Sequence, residues 1–307
     1  MSAAPALLLH FDDEAEAAAR LAEAGGFARA CIERHRFPDD ELRLRLPPRL
    51  PPQVLLLRSL HRPNEKLVEL LLAARAARTL GARRLGLVAP YLAYMRQDLA
   101  FRAGEVVSQR IVGHFLAVLF DAVLTVDPHL HRIARLAEAV PLGDAVALSA
   151  APLLGELIAA RRPGALLLGP DEESAQWVEA AAAAGGLAHA VCVKTRHGDR
   201  EVDIALPPVD LRARAVVLLD DVASSGRTLA RAARLLRAAG AASVDVAVTH
   251  ALFAGDALDA ILAAGVGEVW STDCIAHPSN ALSVAPLLAG ALRRIGFCAG
   301  GAAPAGR

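Results

Sequence analysis

The sequence predicts an α/β protein made of two tandem domains, each a mainly parallel sheet flanked by helices. Three observations carry this prediction. Short apolar runs recur along the chain, helix-patterned stretches alternate with them, and 307 residues exceed the usual single-domain size of about 100 to 200 residues.

The runs Val54–Leu57, Leu85–Ala89, Ala122–Val126, Ala165–Leu168, Ala190–Val193, Ala215–Leu219 and Val244–Val248 are short and nearly free of polar residues. That is the pattern of strands buried on both faces. Between them, Asn64–Leu80, Val106–Leu119, Trp177–Ala184 and Thr228–Ala239 have helical spacing, which gives the alternation of a parallel sheet with crossover helices. The order strand, loop, helix, strand over 54–89 returns over 216–248. The two helices end alike, in TLGARRLGLV and RAAGAASVDV, with Gly81 and Gly240 placed as left-handed caps. This repetition predicts a tandem duplication. Pro, Gly and small residues break the helical pattern near Pro141 to Ala151, which divides the chain into residues 1–145 and 146–307. The Gly- and Ala-rich tail from Gly296 is expected to be a flexible end.

Thirty-three basic residues balance thirty-three acidic ones, with no long run of either sign. Neither a nucleic acid nor a membrane surface is therefore expected as a partner. Cys31, Cys192, Cys274 and Cys298 are widely separated, which fits neither a disulfide framework nor a zinc ribbon and suits a reducing cytoplasm. The start, MSAAPALLLHFDDEAE, turns acidic before a signal-like apolar stretch is complete. No uncharged apolar run reaches the roughly 20 residues of a membrane helix.

The strongest chemical signal is DDVASSGRT, residues 220–228, between a predicted strand and a predicted helix. Carboxylates at the carboxyl end of a parallel strand face the crevice where open α/β sheets bind ligands. Ser224, Ser225 and Thr228 offer hydroxyls, Gly226 lets the backbone approach closely, and a helix N-terminus presents free N–H groups to an anion. A phosphate on the loop and sugar hydroxyls on Asp220 and Asp221 fit that combination. A lone Asp-Asp or Ser-Ser pair would be read as a capped turn.

This loop resembles the PRPP motif of the phosphoribosyltransferase superfamily: two acids, two apolar residues, a variable residue, then Ser/Thr, Gly, Gly/Arg and Thr. Each position from Asp220 to Thr228, Arg227 included, matches. The rest of the chain resembles the ribose-phosphate pyrophosphokinase (PRPP synthetase) family nearly end to end, most closely its archaeal-type branch. FPDDELRLRLP at Phe37, PYLAYMRQD at Pro90, TVDPH at Thr125 and VKTR at Val193 carry this, followed by THALFAGDAL and TDCIAHP.

The resemblance implies two phosphoribosyltransferase-like domains and an enzyme that, with Mg2+, transfers the diphosphoryl group of ATP to O1 of ribose 5-phosphate, giving PRPP and AMP. It implies that Arg96, Gln97 and Asp98 border the ATP site, and that Phe37, Asp39 and Glu41 approach adenine from a neighbouring subunit, which requires at least a homodimer. It makes Lys194 and Arg196 the catalytic basic pair. Strand alternation would point both side chains the same way, although KTR by itself is ordinary surface charge. His129 becomes a contact of magnesium-bound ATP, with His131 as a competitor, and Asp171 a site for a second magnesium or for the pentose. Three positions depart from the family pattern: Glu173 and Trp177 replace the usual Gly and Arg, and Asp40 stands where a glycine is usual.

Other chemistries lack their motifs, since GxxxxGK, a strand-linked GxGxxG, HExxH and GxSxG are all absent. His189, Cys192 and His197 lack a fourth metal ligand. Two alternatives stay open: a non-catalytic regulatory protein associated with PRPP synthetase, and a phosphoribosyltransferase that consumes PRPP.

Overall fold

A computed structural model of the chain describes residues 5–197 and 201–298, with the backbone alone for 194–197 and 201–203. It divides into two compact units, one running to Leu148 and resuming at Val284, the other Ser149–Ser283. Each is α/β.

The first unit opens with β1 (Leu7–His10), a 3₁₀ turn at Asp12–Glu14, α1 (Ala15–Gly25) and β2 (Ala28–Cys31). A hairpin of β3 (Glu33–Arg36) and β4 (Leu42–Arg45) follows. Then come β5 (Gln53–Leu57), α2 (Pro63–Thr79), β6 (Arg84–Val88), α3 (Ser108–Leu119), β7 (Ala122–Val126) and β8 (Asp144–Leu148). The sheet order is β2-β1-β5-β6-β7-β8, and all its pairings are parallel. β5, β6 and β7 are apolar because helices cover both faces.

The second unit runs α4 (Ala151–Arg161), β9 (Leu166–Gly169), a 3₁₀ turn at Glu172–Ser174, α5 (Ala175–Gly185) and β10 (Ala188–Val191). A second hairpin, β11 (Val193–His197) and β12 (Glu201–Ala205), precedes β13 (Ala215–Ala223). α6 (Arg227–Ala238), β14 (Ser243–Ala251), α7 (Ala257–Ala263), β15 (Val269–Thr272) and β16 (Asn280–Leu282) complete it. Its sheet order, β10-β9-β13-β14-β15-β16, repeats that of the first unit strand for strand. The duplication suggested by two βαβ segments therefore extends through the six-stranded sheets and their hairpins. Gly81 and Gly240 follow α2 and α6 with φ of +121° and +91°, conformations open to glycine at no steric cost.

The last helix, α8 (Ala285–Arg294), belongs to the first unit and packs on α1. Phe297 is fully buried beside Gly86, whose added Cβ would lie 2.9 Å from the ring. The Ala6 amide donates to Cys298 O at 3.0 Å. A division at 145/146 assigns this segment to the second domain, whereas the fold returns it to the first, because Phe297 fills a gap over β6. The tail beyond Cys298 lies outside the described residues.

In both sheets the strand order reverses between the first and third strands of the unit, β1/β5 and β9/β13. Such a reversal leaves a crevice at the carboxyl ends of the two strands, the place where open α/β sheets take ligands. No described helix is long and apolar enough to cross a membrane.

Candidate active site

In the second unit the crevice lies between β9 and β13. β13 pairs with β9 only as far as Leu218, opposite Leu168, but continues beside β14 to Ala223, opposite Ala251. Asp220 and Asp221 thus sit inside β13 instead of after it, since β14 keeps offering ladder partners beyond Leu219. The strand predicted to end at Leu219 is four residues longer.

The Asp221 amide donates to Asp220 Oδ1 at 3.0 Å. Asp221 is buried, and Asp171, just past β9, is buried as well. Desolvation pushes the Asp220 carboxyl well above the ordinary carboxylate range, and the negative charges of Asp221 and Asp171 push it further. Asp171 precedes the 3₁₀ turn, and Ser174 holds it there: its amide and hydroxyl both donate to Asp171 O, at 3.2 and 2.6 Å. A Cβ at Gly169 would come within 2.2 Å of Ser174 Oγ, so any larger residue there would displace the hydroxyl that holds Asp171 O. Cys192 donates its amide to Gly169 O at 2.9 Å, and its thiol is pushed up to about 11 by burial and then by Asp171.

Ser224, Ser225 and Gly226 form the turn into α6, with Arg227 and Thr228 in its first helical turn. Gly226 caps the helix at φ +68°, and a Cβ there would meet Ala257 O at 2.9 Å. A strap from Phe253 to Ala257 supports the turn from behind: the Phe253 amide donates to Ala223 O at 2.8 Å, and the Ala254 amide to Ser224 O at 2.9 Å. Phe253 pays for this path with a left-handed φ of +35°. THALFAGDAL was legible as a motif, but its brace role depends on hydrogen bonds to the loop that no spacing reveals.

Lys194 and Arg196 lie on β11, opposite Ile204 and Val202 of β12. Their side chains lie outside the described residues. The departures have structural accounts. Trp177 is buried in the core with Val178, Leu154 and Trp270, while Glu173 is exposed on the 3₁₀ turn.

In the first unit, Phe37, Asp39 and Glu41 are exposed on the turn between β3 and β4. The turn is closed by the Phe37 amide donating to Glu41 O at 2.8 Å and the Asp40 amide to Phe37 O at 3.0 Å. Asp40 has φ +73°, a left-handed conformation that glycine takes freely and aspartate tolerates. The aspartate that replaces the usual glycine is therefore accommodated, and its carboxylate accepts from Arg36. His35 meets the Phe37 ring edge-on at 4.9 Å between centroids, and the Arg43 guanidinium lies 6.0 Å from it.

Arg96, Gln97 and Asp98 occupy the connection between β6 and α3. Arg96 is exposed, Gln97 O accepts from the Gln109 amide at 3.2 Å, and Asp98 Oδ1 accepts from Arg132 at 2.6 Å. The other Asp98 oxygen is buried with no hydrogen-bond partner among the described residues. His129, after β7, touches His131 ring to ring, with centroids 4.0 Å apart. The two candidate imidazoles are thus one pair, and the order of residues alone does not choose between them.

Comparison with known proteins matches residues 6–119 to the N-terminal domain of ribose phosphate pyrophosphokinase, and residues 153–261 to the phosphoribosyl transferase domain. A ribose-phosphate pyrophosphokinase of Methanopyrus kandleri is 36% identical over 90% of this chain and 94% of its own. One of Thermococcus kodakarensis is 33% identical over 91% and 95%. Among solved structures, phosphoribosylpyrophosphate synthetase from Mycobacterium smegmatis aligns with a TM-score of 0.81 at 26% identity, covering 95% of this chain and 99% of that one.

Proposed function

The chain belongs to the ribose-phosphate pyrophosphokinase family, and from that premise we infer that it transfers the β,γ-diphosphoryl group of ATP to O1 of ribose 5-phosphate. O1 attacks the β-phosphorus, the bond from that phosphorus to the α,β-bridging oxygen breaks, AMP leaves, and the O1 proton passes to solvent. The observation that carries the reading is the turn from β13 into α6, where paired acids, hydroxyls and a helix N-terminus converge at a sheet crevice.

Asp220 and Asp221 take the ribose hydroxyls, which orients the sugar. Ser224, Ser225, Gly226, Arg227 and Thr228 hold the 5-phosphate through hydroxyls and the free amides of the first turn of α6. With the sugar fixed at both ends, O1 meets the phosphorus in line, and such positioning is a large part of phosphoryl-transfer catalysis. Lys194 and Arg196 neutralise charge on the transferred phosphates. Arg96, Gln97 and Asp98 border the ATP, and Phe37, Asp39 and Glu41 of a neighbouring copy approach its adenine, so the working protein is a homo-oligomer in the cytoplasm.

A divalent cation suits the acids present. Burial and then the negative charges of Asp221 and Asp171 raise the Asp220 carboxyl, and a cation among the carboxylates relieves the repulsive part. Asp171 is the proposed ligand in the second unit, and His129 the proposed contact for metal-bound ATP in the first. When bound, Mg2+ supplies charge neutralisation on the phosphate oxygens.

Purified protein incubated with ATP, Mg2+ and ribose 5-phosphate should yield AMP and PRPP in equal amounts. ADP without AMP overturns diphosphoryl transfer, no product from the protein alone points to the regulatory alternative, and pyrophosphate release from PRPP and a nucleobase points to the consuming transferase.

A further inference from the structure

The hairpins of the two units stand in equivalent places, β3–β4 after β2 and β11–β12 after β10. Their registers also agree. Arg34 and Arg36 pair with Leu44 and Leu42, as Lys194 and Arg196 pair with Ile204 and Val202. Each hairpin thus carries a basic pair two residues apart opposite apolar partners. The helices that follow differ. α2 carries Glu65 and Glu69, whereas α6, RTLARAARLLRA, has no acid at all.

In the first unit both arginines reach those acids, although Arg34 also pairs with Asp12 and Arg36 with Asp40 on the hairpin itself. Arg34 Nη1 donates to Glu69 Oε1 at 2.5 Å, and Arg36 pairs with Glu65. Glu69 is fully buried and also receives Arg58. The base of the hairpin has apolar anchorage as well, since Leu44 packs on the core and Leu46 is buried in it. Its tip does not. A pocket of about 510 Å³ is lined by Arg36 and Leu42 of the hairpin and by Glu65, Val68 and Leu72 of α2, and the ion pair from Arg36 to Glu65 joins the two elements at its edge.

We propose that Glu65 and Glu69 are positioning residues of the nucleotide subsite: through Arg36 and Arg34 they fix the β3–β4 hairpin on α2 and so set where Phe37, Asp39 and Glu41 stand. The proposal rests on the assignment of those three residues to ATP. An aromatic ring whose plane is held in advance stacks on a base at lower ordering cost. Phe37 is braced on the hairpin by His35 and Arg43, and the hairpin in turn is held by α2. In the copy of the fold that carries the proposed phosphate loop, the helix that follows the matching basic pair has no acid that could clamp it in this way.

The test combines hydrogen exchange of residues 33–45 with steady-state kinetics on the full-length protein. Glu65→Gln keeps the shape of a half-exposed side chain and leaves the core intact. It should speed exchange across the hairpin and raise the KM for ATP by about fivefold, with kcat at saturating ATP and the KM for ribose 5-phosphate within twofold of wild type. Glu65→Asp should recover part of both effects. Glu69→Gln should give a larger change of the same kind. If it fails to fold, Glu65→Gln decides alone. Unchanged hairpin exchange in Glu65→Gln overturns the clamp, and an equal rise in both KM values overturns a specific nucleotide role. Should the wild type make no PRPP, the functional assignment fails while the exchange measurement still judges the clamp.

Discussion

Arg58 and Glu69 meet where water does not reach: Nε lies 2.8 Å from Oε2, with the arginine 1% and the glutamate 0% exposed. Asp13 and Glu14 complete the shell around the guanidinium, at 2.7 and 3.3 Å. Removing one member of a buried pair strands the other charge, which costs about 3–5 kcal/mol. Arg58→Ala and Glu69→Ala should each lower the urea midpoint accordingly. Arg58→Met with Glu69→Leu should cost less than the two single changes added together, while still leaving Glu14 without Arg58 and Arg34 without Glu69. A midpoint within error of wild type for the single variants would count against the lock.

His61, beside Lys66 at 3.3 Å, is held down to about 4, first by burial and then by the charges of Lys66 and Arg58. As pH falls from about 6.5 toward about 4, the unfolded imidazole takes up a proton that the folded one refuses, so stability is lost across that window. His61→Gln should flatten this stretch of the curve of Tm against pH. Lys66 shows the complementary case. Its ammonium is lowered to about 8 by burial and then by Arg58, so stability should rise as pH goes from about 8 to the ordinary lysine value of 10.5.

Gly226 combines a left-handed φ with a backbone oxygen 2.9 Å from where a Cβ would stand. Gly226→Ala should lose about 1–2 kcal/mol from the conformation alone. By shifting the loop it should raise the KM for ribose 5-phosphate at least about tenfold. A variant with wild-type KM would separate this glycine from phosphate binding.

Asp220 is held protonated above its usual range. In the protein without metal, stability therefore falls as pH rises from the unfolded aspartate value toward the raised folded one, because the unfolded chain loses its proton first. Asp220→Asn should raise the Tm of the metal-free protein at neutral pH while abolishing turnover. Added Mg2+ should stabilise the wild type more than the variant. A variant less stable than wild type without metal would show that the carboxylate is a structural asset instead.

Much of the architecture was legible in local pattern. Mostly apolar runs such as Leu85–Ala89 and Ala122–Val126 gave their strands within a residue, because a strand buried on both faces tolerates little else. The helix at Thr228–Ala239 lies within a residue of α6 at both ends, with Gly240 marking its end. The hairpin at Glu33 escaped this reading, since ERHR alternates without an apolar face, and at Val193 the strand through Lys194 was legible but its partner β12 was not. The short strand β16 escaped it too.

The chain by itself thus determined the α/β class, the repeat, and the strand-to-helix loop proposed to hold phosphate, because these depend on composition and spacing within a few consecutive residues. Tertiary structure alone decided that Asp220 and Asp221 lie within a strand, that α8 returns to the first unit, and that Arg58, Arg34 and Glu69 join residues 11 and 35 positions apart. Hydrogen-bond ladders and buried ion pairs form with whichever partner the packed sheet brings near, and that proximity is a property of the whole unit, not of any segment in it.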